Sequence, residues 1–459
     1  MARQEISRTE IFENMPPYRA ILTLAIPNVV NQLANVVYNL ADTFYIGRLN
    51  NSSMVAALTI TAFLMLILTA LSNLLCIGSC ALIASALGAK NRKKAEDIAL
   101  LAPFLALFTG ILITISTLIF RRQIALYSGA SATSLGYTME YQFWVICLNS
   151  VPMLCSTTIG AGMRGYGYSK YEMYGITLGN LLNIVLDPLF IFGFHMNVAG
   201  AGSATFVSTC VSMLYFLIMA GRMQKKHHFY SDLSSFCFRK EYAFEIFTTG
   251  FPAFLHSLLA SVTNTIAMNI FKSYSDAAVA AIGIVRKIEH TFGQMIIGLN
   301  QGVIPLISYN YANRKFRRLK DVQKKTQILG CAWGLVALVT LFAFARQFVL
   351  FFINDPETVR FGTPLVQMYA FIVLTMSYNN NVRTVLQALG KKRQSSLFSI
   401  FRTVGLYLPF LFLLNRFFGF YGAAFATIAA DLVGNVFAWF LLRSVYRGIE
   451  AESGESFSA

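Results

Sequence analysis

Two carboxylates in this chain stand where a carboxylate is costly. Asp42 closes a run of polar residues, Asn28, Asn31, Gln32, Asn35 and Asn39, that recur three, four and seven apart within an otherwise apolar stretch. That spacing places them on one helical face, with Tyr38 beside it. Asn180, Asn183 and Asp187 repeat the pattern at i, i+3 and i+7 in a second apolar stretch. Amides on such faces serve as interhelical glue, a role that needs no acid. Two acids held close in low dielectric share a proton, because like charges there do not both ionise cheaply. Alternatively they bind a hard cation together with amide and hydroxyl oxygens; Thr205 could supply a hydroxyl. Further polar groups in apolar stretches are His256, Arg286, Lys287, Glu289, His290, the run Asn379-Asn380-Asn381, and Asp431. Arg286 and Glu289 are spaced to pair with each other.

The surrounding elements are membrane spans. Of 459 residues, 56% are hydrophobic and 13% charged, against about 25% charged in a soluble domain. Mean hydropathy is +0.57. An aromatic content of 14% excludes disorder, and seven cysteines in this length exclude a disulfide scaffold. No signal peptide is visible in Met1–Arg19. About twelve apolar runs reach the roughly 20 residues that a spanning helix needs. They lie near 20–46, 54–88, 98–120, 136–160, 173–194, 200–221, 246–272, 278–309, 326–350, 362–388, 396–416 and 421–442. The net charge of +16 comes from Lys and Arg clustered between runs, so it orients spans and does not indicate nucleic acid. Of the 37 Lys and Arg, those on one alternate set of loops outnumber those on the other by nearly four to one. This bias places both termini in the cytoplasm. The expected fold is an all-α integral membrane protein, multi-pass in the plasma (inner) membrane.

The chain also repeats weakly at an offset near 222 residues. Pro27 answers Pro252, and Asn91-Arg92-Lys93 answers Asn313-Arg314-Lys315. Met163 to Gly167 faces Leu386 to Gly390, Asp187-Pro188 faces Leu408-Pro409, and Ala201-Gly202 faces Tyr421-Gly422. Six spans per half make the repeat parallel, a common transporter plan. The expected division is an N-terminal six-helix lobe at 1–221, a cytoplasmic linker at 222–245, a C-terminal six-helix lobe at 246–445 and a cytoplasmic tail at 446–459. Asp42 and Asp187 fall opposite Ala267 and Leu408, so the acids belong to one half, as cation handling requires and packing does not.

No zinc-protease, serine-hydrolase or nucleotide-binding motif occurs, which argues against an enzyme and makes any uphill transport ion-driven. His227-His228 has no Cys or acidic partner at ligand spacing. No cofactor is expected beyond a coupling ion, H+ or Na+.

The stretches Ala25-Ile26-Pro27 and Tyr38 through Gly47 resemble the first-helix signature of the multidrug and toxic compound extrusion (MATE) family. Asn183 through Pro188 resembles its fifth-helix signature, and Met163-Arg164-Gly165-Tyr166-Gly167 its fourth-to-fifth loop. The resemblance covers nearly the whole chain. It implies two six-helix lobes and export of amphipathic organic cations by antiport with protons or sodium. The family's cation-site positions carry over to Asp42, Asn183, Asp187 and Thr205, where sodium is the alternative occupant to a proton. Asn35, Tyr38, Asn39, Asn180 and Arg286 are the expected substrate-lining residues. Arg286 resembles the eighth-helix arginine of the DinF-like branch, which faces the first-helix Asp across a cleft. The C-terminal acidic site of another branch finds Ala260-Ser261 and Asn379-Asn380 in its place. These departures favour the DinF-like branch and protons. The competing readings are a lipid-linked oligosaccharide flippase of the same superfamily, an intramembrane enzyme, and a receptor or scaffold. The expected partners are small amphipathic cations and the bilayer, with no nucleic acid, and the expected assembly is a monomer.

Overall fold

A computed structural model describes residues 10–49, 52–227, 229–230 and 238–453. Cys237, His228 and the ends of both termini lie outside the described residues. All regular elements among the described residues are helical. The α-helices, in chain order, are α1 (Pro17–Gly47), α2 (Ser52–Gly88), α3 (Arg92–Tyr127), α4 (Leu135–Gln142), α5 (Ser150–Gly165), α6 (Ser169–Pro188) and α7 (Asn197–His227). There follow α8 (Lys240–Lys272), α9 (Asp276–Ala312), α10 (Phe316–Ala343), α11 (Ala345–Phe352), α12 (Pro356–Ala388), α13 (Lys392–Ile400) and α14 (Tyr407–Ser453).

Among the described residues, ten helical segments are long and apolar enough to cross a membrane. One of them, Lys392–Ala451, is 60 residues long and turns at Gly419, whose φ of 60° and ψ of −143° suit only glycine. It therefore holds two spans. The helix α9 has the length to span at 37 residues but carries Arg286, Lys287, Glu289 and His290. Counting both gives the twelve expected. The helices outrun the apolar stretches because their ends continue as polar turns. Asn91 caps α3 by accepting from the Lys94 amide at 3.0 Å, and Asp355 caps α12 by accepting from the Thr358 amide at 2.8 Å.

The repeat is visible in the backbone. Lys90 and Arg314 both have positive φ, 59° and 56°, immediately before α3 and α10. Gly167 and Gly390, at 86° and 66°, stand before α6 and α13 in the same way.

The chain forms two compact units, one of residues up to Val29 together with Leu255 onward, the other Val30–Phe254. This division differs from the one expected from sequence. The described residues of the expected linker, 222–227, 229–230 and 238–245, lie within the second of these units, and α1 and α8 each change unit close to Pro27 and Pro252. Close backbone packing is the reason. In the first, C-terminal unit, a Cβ on Gly302 would stand 2.5 Å from the Ala25 Cα and one on Gly298 2.8 Å from the Val29 Cα, so α9 seats the first half of α1. In the second, N-terminal unit, a Cβ on Gly250 would stand 1.8 Å from the Leu74 carbonyl oxygen, so α2 seats the first half of α8. Small residues permit such approaches in a bilayer, where dispersion and not the hydrophobic effect draws helices together.

The C-terminal unit also fastens the segment before α1. Arg318 donates to the Phe12 and Met15 carbonyls at 2.8 and 2.7 Å. Glu13 takes the Lys315 ammonium at 2.7 Å, and Phe12 stacks on Tyr309. In the N-terminal unit, Arg164 is buried and pairs with Glu172 at 2.6 Å. Its charge therefore belongs to the packing of α5 and α6, not to a loop as its place in the sequence suggests.

Candidate functional site

The N-terminal unit gathers the expected cation-site residues from three helices. Asp42 comes from α1, Asn183 and Asp187 from α6, and Thr205 from α7. Asp187 is 0% exposed and Asn183 2%. Asn183 donates its Nδ2 to the Thr205 hydroxyl at 3.3 Å, and that hydroxyl donates to the Ala201 carbonyl at 3.0 Å. The two carboxylates lie within electrostatic reach of each other, and both act on Tyr38 of α1 and Tyr141 of α4.

The unmet acceptors define the chemistry. Both oxygens of Asp187, Oδ1 of Asp42 and Oδ1 of Asn183 are buried with no hydrogen-bond donor. No Lys, Arg or His among the described residues forms an ion pair with either acid. A carboxylate removed from water and left unpaired is unstable as an anion; it takes up a proton or a cation. Four orphaned oxygens on two acids, an amide and a neighbouring hydroxyl are a donor set for either. Among the described residues no cluster of three or more His, Cys, Asp or Glu could hold a metal.

The substrate-lining residues expected beside this site divide. Asn180 donates to the Asn35 Oδ1 at 2.8 Å, joining α6 to α1. Asn35 in turn donates to Gln32, and Asn39 donates to the Asn35 carbonyl at 2.7 Å. Tyr38 adjoins Thr205. The polar stripe of α1 is not continuous in its packing: Asn28 belongs to the C-terminal unit and donates to the Leu24 carbonyl. Tyr141 was not foreseen, because a lone tyrosine beside Glu140 has no spacing that marks it.

Arg286 stands in the C-terminal unit, in a cavity of about 300 Å³ that also admits Glu289, Arg383 and Arg402. Arg286 and Glu289 do not pair within 4.0 Å, contrary to what their spacing suggests. Nor is this unit without a buried acid beside Asn379. Asp431, 0% exposed, reaches there from α14. It accepts from Asn379 at 3.1 Å and from Arg402 Nε at 2.8 Å. This acid is thus neutralised, whereas those of the N-terminal unit are not.

Two units of repeated helices with an unpaired carboxylate couple define a polytopic membrane transporter. The chain belongs to the MatE family, whose model matches it twice, at residues 27–189 and 252–413, and it is a transporter, not an enzyme. The double match is the internal repeat seen from another side. The chain is 29% identical over 422 residues to the multidrug export protein MepA of Staphylococcus saprophyticus, covering 92% of each chain. It is also 29% identical to MepA of Staphylococcus aureus, over 92% of each. Its fold matches a multidrug resistance MATE family transporter of the MOP superfamily with a TM-score of 0.92 at 20% identity, covering 98% of this chain and 100% of that one. It matches the Vibrio cholerae MATE transporter VcmN with a TM-score of 0.89 at 20% identity, covering 94% and 97%.

Proposed function

We propose that this protein exports amphipathic organic cations across the plasma membrane by alternating access, in exchange for protons. The observation that carries this reading is the pair of acids in the N-terminal unit, the buried Asp187 and the half-buried Asp42, whose buried oxygens have no partner. A site that must hold either a proton or a cation makes the two compete, and competition for one carboxylate is antiport. A ligand shifts a conformational equilibrium only by its differential affinity for the states, so drug and proton drive opposite directions. Tyr38 and Tyr141 offer aromatic surface to an organic cation beside the charge. The named drug exporters with 29% identity support the substrate class. The loop charge bias supports termini in the cytoplasm, and the chain is proposed to act as a monomer of the DinF-like branch.

Protons are preferred to sodium because the C-terminal unit's acid is already occupied by Arg402. The test is reconstitution in liposomes with ethidium as the transported probe. A pH gradient alone, without sodium, should drive ethidium movement. A strict sodium requirement at fixed pH would overturn proton coupling and make Asp42, Asn183, Asp187 and Thr205 a sodium site.

A further inference from the structure

The cavity of the C-terminal unit has chemistry opposite to that of the acidic site. Three arginines line it, Arg286, Arg383 and Arg402, against a single lining carboxylate, Glu289. Asp431 does not restore the balance beyond one of them. Its Oδ1 takes Arg402 and Asn379, and its Oδ2 takes Thr375, so its acceptors are in use. Arg286 and Arg383 have no carboxylate within 4.0 Å among the described residues. The partner of Arg383 is the neutral amide oxygen of Asn380.

A guanidinium drawn out of water keeps its charge and needs a counter-anion. Two of them face one cavity with no carboxylate within 4.0 Å of either, Glu289 standing on the same wall beyond ion-pair distance, and they match the forked geometry of a bound carboxylate. Ile372, Met376, Phe398 and Tyr369 supply apolar and aromatic surface, beside a polar side of the wall that includes Thr263, Asn264 and Ser399. A volume of about 300 Å³ is at the lower end of small-molecule pockets, enough for a ring bearing one acid group and too small for an oligosaccharide. Glu289 disfavours a second negative charge.

We propose that this cavity is a binding site for a monoanionic aromatic acid, its carboxylate held by Arg286 and Arg383 and its ring laid against Tyr369 and Phe398. The lining residues all belong to the C-terminal unit and binding is read without a gradient, so the outcome is distinguishable from that of the export reading.

Equilibrium dialysis of radiolabelled salicylate against the full-length protein in phosphatidylcholine nanodiscs tests it, with salicylamide as the neutral isostere. Salicylate should saturate, and salicylamide should bind at least about tenfold more weakly. Arg286→Gln and Arg383→Gln should each weaken salicylate at least about tenfold. Arg383→Lys, which retains the charge and guards against misfolding as the cause, should keep a measurable part of the binding. Lys391→Gln should bind salicylate as the wild type does. Equal binding of salicylate and salicylamide would overturn the site, as would salicylate binding unchanged in both glutamine variants. Displacement by inorganic phosphate as effective as by benzoate would overturn its assignment to an aromatic acid.

Discussion

Asp187 carries the account at the level of single residues. With both oxygens buried and without donors, and with no cation paired to it, the ionised form is poorly stabilised. Asp187→Asn and Asp42→Asn should each lower gradient-driven ethidium transport at least about tenfold, while purified yield is maintained and Tm does not fall, since an amide removes a buried charge that had no partner. Transport in proteoliposomes and a thermal melt check both halves of this expectation; a wild-type rate in both variants would move the coupling site elsewhere. Arg164 gives the contrasting case. Its partner Glu172 is 2.6 Å away and both are buried. Glu172→Gln leaves the cation uncompensated, and should cost about 3–5 kcal/mol, read as a fall in Tm. Replacing both by Met should recover most of it. The acids of the site were legible because helical spacing exposes a polar face in an apolar run. The Arg164 pair was not, because an arginine beside Gly165 and Gly167 reads as a loop charge until the packing of α5 on α6 is known.

At the scale of helices, apolar length and loop charge were enough to find every span, and proline and glycine positions were enough to suggest the repeat. Neither discloses where a helix changes its neighbours. Pro27 and Pro252 mark the places only in hindsight, and what decides the exchange is the glycine contact on the facing helix. Gly250→Ala would drive a Cβ to 1.8 Å from the Leu74 carbonyl oxygen, whereas a Cβ on Gly283 meets nothing within 4 Å. Thermal melts should show Gly250→Ala destabilised by about 1–3 kcal/mol, the usual range for overpacking, and Gly283→Ala unchanged or slightly more stable through helix propensity. Equal melts for the two would mean that α8 is not seated on α2 in this way. Gly419 belongs to the same scale: alanine there should cost about 1–3 kcal/mol for backbone strain alone.

For the whole molecule, the two halves share one plan and differ in charge. The N-terminal unit keeps two acids without counter-ions; the C-terminal unit pairs its acid with Arg402 and has arginines to spare. The sequence indicated the asymmetry of the acids, since Ala267 and Leu408 stand at the repeat positions. It could not indicate that Arg402, within a span and 29 residues before Asp431, would meet that acid. The central claim is that an organic cation and a proton compete for the carboxylates of the N-terminal unit. Proton release on ethidium binding, followed with a pH indicator in weakly buffered detergent solution without sodium, measures this directly. The wild-type protein should release protons in proportion to the ethidium bound, and Asp42→Asn and Asp187→Asn should release fewer or none. Saturable ethidium binding by the wild type with no proton released would contradict it.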